Sequence, residues 1–139
     1  MARAYNIDDI MAFLAKETLA KKIRPQSDLF RNLGVDGDDF EDLMDAYSKS
    51  FSVDMTCYLW YFHHQEEPLN FGKLFWKSPN QRVRRIPVTP TMLLDFAHKG
   101  TWALEYPAHR LPAKRYDILI HGIVAILLLL LVIVLPFLC

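Results

Sequence analysis

Residues 118–138 read ILIHGIVAILLLLLVIVLPFL, a run without Lys, Arg, Asp or Glu in which His121 is the one strongly polar side chain. At 1.5 Å of rise per residue this run makes a helix about 31 Å long, which matches the hydrocarbon thickness of a bilayer. One charge at mid-span would cost roughly 2.5–3.5 kcal/mol, so the absence of charge is informative. A buried core helix is the competing assignment. A chain of 139 residues has too little other material to cover a helix that is apolar on every side. The sequence therefore predicts one membrane-spanning helix and leaves the rest for a small soluble domain.

The position of the run excludes a signal peptide, and residues 1–22 contain no apolar stretch of signal length. Arg110, Lys114 and Arg115 precede the span and no charge follows it. By the positive-inside rule these are membrane-facing basic residues, and the N-terminal domain lies in the cytoplasm. A glycolipid anchor would need an exported precursor, and Cys139 is not placed for prenylation, which needs the cysteine fourth from the end. Cys57 lies in the domain and Cys139 beyond the span, so no bridge is expected between them.

Net charge is zero, yet residues 1–72 carry 7 basic and 13 acidic side chains and residues 73–115 carry 9 basic and 2 acidic ones. The basic half leads into the anchor, where each basic side chain near an anionic leaflet contributes about 1 kcal/mol of attraction. These charges are scattered and adjoin a bilayer, so nucleic acid is not an expected partner.

Helical spacing of Ile7, Ile10, Met11 and Leu14 predicts a first helix over 7–21, with Asn6 as N-cap and Pro25 ending it. Residues 26–36 form a loop held by Leu29, Phe30 and Leu33. A second helix runs over 37–50 with Asp36 as N-cap and Asp38 and Asp39 in its first turn. Phe40, Leu43, Met44, Tyr47 and Phe51 draw an apolar stripe along it, and Glu41, Asp42 and Asp45 fall on the opposite face. The aromatic stretch 53–62 is core, as a strand or a short helix. Residues 69–88 have no firm periodicity. Thr89-Pro90 starts a short helix that ends at Gly100, and residues 102–106 suit a short strand. The expected division is a mainly α domain with minor β elements over 1–106, a juxtamembrane linker over 107–117 and a span over 118–138.

Residues 23–55, IRPQSDLFRNLGVDGDDFEDLMDAYSKSFSVDM, resemble an acyl carrier protein. Leu33-Gly34-Val35-Asp36 matches the end of that family's long loop. Phe40, Leu43, Met44 and Ala46 match its acidic second helix, and Phe51 and Met55 the segment after it. The resemblance implies a small helical fold whose acidic helix is shown to basic partners. It also places a phosphopantetheine serine right after the motif's Asp, and here that position is Gly37. Glycine has no hydroxyl to esterify, and Asp38 replaces the Leu expected next. Ser27, Ser48 and Ser50 stand off the helix start. No prosthetic group or other cofactor is therefore expected. The segments 60–64, 86–89 and 100–102 also resemble acyl-carrier-like proteins of enteric bacteria, which implies a bacterial inner membrane and brings no activity with it.

Cys57, His63, His64, Glu66 and Glu67 suggest metal ligands, but adjacent histidines diverge on either regular backbone, and a surface turn ahead of Pro68 accounts for them better. His121, one turn into the span, suits headgroup contact. No nucleophile elbow, phosphate loop or triad pattern is present, so no catalytic residue is assigned. The expected function is a membrane-tethered, non-catalytic, acyl-carrier-like interaction or regulatory module. It uses Asp38, Glu41, Asp42 and Asp45 to dock a cytoplasmic protein with a basic surface, and the lipid bilayer is its second partner. The alternatives are an accessory or decoy in carrier metabolism, and an enzyme whose site carries no motif.

Overall fold

A computed structural model describes residues 4–66 and 69–138; Glu67, Pro68 and Cys139 lie outside the described residues. The fold is mainly helical: α1 (Ile7–Glu17), α2 (Gly37–Phe51), α3 (Pro90–Lys99) and a long C-terminal α4 (Tyr116–Leu138). Three short 3-10 turns, Trp60–Phe62, Phe71–Leu74 and Pro79–Gln81, lie between α2 and α3.

Each domain helix starts for a local reason. Asn6 and Asp9 close a reciprocal capping box at the start of α1, with bonds of 2.8 and 3.0 Å. The helix stops at Glu17, four residues short of the sequence expectation. The Thr18 hydroxyl and amide both donate to the Leu14 carbonyl, and Thr18 itself is extended. Leu19 beyond it is fully exposed, so no apolar contact rewards a further turn. In α3 the Thr89 hydroxyl accepts from the Met92 amide, Pro90 fills the first position and Gly100 ends the helix in the left-handed region at φ +71°.

The stripe on α2 is the centre of the core: Phe40, Leu43, Met44, Tyr47 and Phe51 are all buried. They pack with Ile10 and Leu14 of α1, Leu29 of the loop, Leu93 and Phe96 of α3, and Trp102. The Tyr47 hydroxyl reaches across the core and donates to the Leu93 carbonyl. The loop after α1 is pinned rather than loose. Leu29 donates its amide to the Val88 carbonyl, and the Asp28 carboxylate takes two bonds from Arg85 at 3.1 and 2.5 Å. The same guanidinium lies 4.9 Å from the centre of the Phe30 ring.

Among the described residues no strand forms. The aromatic stretch folds into turns, and 101–106 pairs with it only through one parallel bridge, Asp54 with Thr101. Asp54 exchanges bonds with the Gly100 carbonyl and the Trp102 amide, after which the Tyr58 amide turns back onto Met55 and ends the pairing.

Candidate functional site

Asp38, Glu41, Asp42 and Asp45 are all exposed on the outer side of α2, and Asp39 lies exposed beside them. Among the described residues, Lys49 is the one cation paired with any of these carboxylates; it bonds Asp45 one turn on. The helix therefore presents a strip of negative charge with little local compensation. In physiological salt such a field reaches about 8 Å.

The start of α2 departs from the expected cap. Asp36 occupies the N-cap position, but its side chain makes no bond within the helix. Its Oδ1 instead accepts the Gln65 amide at 2.8 Å, so the cap residue ties α2 to the segment after the Trp60–Phe62 turn. Gly37 follows at φ +55°, where a side chain is strained. The position that a carrier would fill with serine thus has a backbone suited to glycine. A cleft of about 430 Å³ opens beside it, lined by Gly37, Asp38, Glu41 and Trp60 on one side and by Arg115 and Ile118 on the other.

His63 and His64 are buried, not on a surface turn as their polarity suggests. The Ile86 carbonyl can only accept, so His63 Nδ1 carries the proton of that 3.0 Å bond. The Tyr106 hydroxyl accepts from the Trp102 indole and the Leu59 amide, and donates to His63 Nε2 at 2.7 Å. Both ring nitrogens are thus satisfied by a neutral imidazole. Burial pushes the His63 pKa down to about 4, against a smaller opposing effect of the Ile86 bond. His64 stacks on Phe40 with ring centres 4.9 Å apart, and its Nε2 has no hydrogen-bond partner among the described residues. These histidines are parts of the core.

The residues between the domain and the apolar stretch of α4 form a joint. Asp117 is fully buried although it opens α4. Its carboxylate takes bonds from Arg115 Nε at 2.9 Å and from Asn70 at 3.2 Å, and Arg115 also bonds Glu66 at 2.9 Å. The Asp117 bond, opposed by partial burial and reinforced by Glu66, holds the Arg115 guanidinium even more firmly protonated than usual. Gly72 lies against this turn so closely that a Cβ would fall 1.7 Å from the Asp117 carbonyl oxygen. The Phe71 amide donates to His121 Nδ1 at 3.1 Å, and their rings stack.

Of the residues expected to face the membrane, Arg110 and Lys114 are exposed, whereas Arg115 is held in the ion cluster. His121 contacts the domain's own Phe71. Sequence reasoning missed Asn70, Gly72 and Asp117. A glycine in an aperiodic stretch, and one acid ahead of an otherwise uncharged run, were the available signals. α4 is long and apolar enough to cross a membrane, and no residue of its most apolar 18-residue window is buried.

No curated protein and no solved structure matches the chain. One family matches residues 5–105, which is most of the chain and all three domain helices, and its description is Protein of unknown function (DUF1493). The chain belongs to the DUF1493 family.

Proposed function

We propose that this protein is a membrane-tethered, acyl-carrier-like interaction module without a prosthetic arm. It sits at a bacterial inner membrane with its domain in the cytoplasm and docks a basic partner through α2. One observation carries the reading: Asp38, Glu41 and Asp42 are exposed, stand together on one helix face and have no paired cation among the described residues. A folded domain gains little from such a strip, because adjacent like charges repel. A partner of opposite charge gains encounter rate from it. The left-handed Gly37 supports the absence of an arm, since glycine has no hydroxyl to esterify and a serine there would sit on a strained backbone. The exposed Arg110 and Lys114 just ahead of α4 support the cytoplasmic side.

The test is recovery of partners from detergent-solubilised membranes with the full chain, beside a variant carrying Glu41→Gln, Asp42→Asn and Asp45→Asn. The wild type is expected to retain a basic protein in low salt and to release it as salt rises. The variant should bind it more slowly and with a flatter salt dependence. A folded variant that recovers the same partner with the same salt dependence overturns docking through α2.

A further inference from the structure

We infer that residues 69–76 form an apolar wedge that enters the headgroup and upper acyl layer of the membrane crossed by α4, so that the domain rests on the lipid as well as hanging from it. The inference rests on the reading of α4 as a span.

Four observations place the wedge. Leu69, Leu74 and Phe75 are 72%, 80% and 71% exposed, and Phe71 is 38% exposed. Four large apolar side chains within seven residues make a patch that a protein in water seldom leaves open. The patch is continuous with α4: Gly72 touches the Asp117 backbone, Phe71 bonds His121, and the Trp76 ring meets the Tyr116 ring edge to face at 5.1 Å.

Depth follows from the helix geometry. His121 is three residues past Ile118, or about 4.5 Å along the axis, so the Phe71 contact brings the turn below the start of the apolar run. Apolar elements that lie in the interface bury themselves by about 5–10 Å. The rim has the matching chemistry. Lys77, Arg82 and Lys114 converge around Trp76 at the base of α4, where lipid phosphates would stand. Trp76 and Tyr116 are the residue types that settle at that boundary. A lipid surface carrying anionic headgroups satisfies the apolar tip and the basic rim together.

The test uses the full chain with Cys57→Ser and Cys139→Ser, reconstituted at low density into vesicles of phosphatidylethanolamine and phosphatidylglycerol. Nitroxide labels are placed singly at Leu74→Cys, at Leu19→Cys on the domain and at Leu128→Cys in mid-α4. Accessibility to oxygen and to a water-soluble nickel chelate reports depth. The Leu74 label is expected to gain oxygen and lose chelate accessibility relative to the Leu19 label, and the Leu128 label to be deeper than both. If Leu128 is deep while Leu74 matches Leu19, the wedge is overturned and the span stands. If Leu128 is itself open to the chelate, the span fails and the wedge with it. Dipolar broadening at Leu74, with the chelate excluded but no gain in oxygen accessibility, would mean that a second copy covers the patch. That result also overturns the wedge.

Discussion

His63 shows how a single side chain can look like a surface ligand and be a core part. The residues that follow it in the chain are polar, and its partners, Ile86 and Tyr106, are far away in sequence. No local pattern in 60–68 announces them, which is why a surface turn seemed the better account. Burial has a measurable consequence. In the unfolded chain this imidazole takes up a proton near pH 6.5, but in the folded protein only near pH 4. Between those values the unfolded state binds more protons, so stability is fully present above pH 6.5 and is lost as the pH falls toward 4. The whole drop corresponds to about 3 kcal/mol. Thermal unfolding of the full chain in detergent micelles should show a melting temperature that falls over this window. In His63→Gln the fall should be shallower, whatever the starting temperature. Parallel curves for the two proteins would mean that His63 does not carry the effect. Gly37 is a second residue whose meaning needed the backbone. Its lack of a hydroxyl was plain in the sequence, and its positive φ was not.

At the level of elements, what was legible was local. The stripe from Phe40 to Phe51 and the Thr89-Pro90 and Gly100 boundaries of α3 depend on residues within a turn of one another, and all were readable. The end of α1 was not, because a Thr18 bond to Leu14 competes with continued helix and Pro25 gave a stop that came too late. The expected strand at 102–106 failed because only Asp54 stands opposite to pair with it. The two faces of α2 give separable mutants. Leu43→Ala should destabilise the domain by about 2–5 kcal/mol, since a buried leucine leaves both lost transfer energy and a cavity. Neutralising Glu41, Asp42 and Asp45 together should stay within about 0.5 kcal/mol in denaturant unfolding, because exposed side chains contribute little and the Asp45–Lys49 pair is solvated. A large loss in the charge variant would show that this face is part of the scaffold.

For the whole molecule, the joint between domain and α4 decides how the two parts are related. The long apolar C-terminal helix was legible from composition, but the residues that open it were not legible as structure. Asp117, Arg115 and Glu66 meet across about fifty residues of chain, and Gly72 offered only its small size as a clue. Gly72→Ala tests the joint. The new methyl would collide with the Asp117 backbone, which cannot move aside without disturbing α4, and overpacking of this kind costs about 1–3 kcal/mol. The Phe71–Leu74 turn should lift from α4, and the Phe71 amide should lose its bond to His121. Hydrogen exchange in 69–76 should accelerate in Gly72→Ala while protection in α2 and α3 stays as in the wild type. Unchanged protection in 69–76 would show that the contact is looser than its geometry. The same closeness leaves no room for a swivel between the domain and its mast. A hinge here would let the body sample all bearings, whereas a backbone-to-backbone contact makes the azimuth of α2 a property of α4. Any twist or tilt of α4 is therefore carried to the acidic strip, and the direction in which that strip faces changes with it.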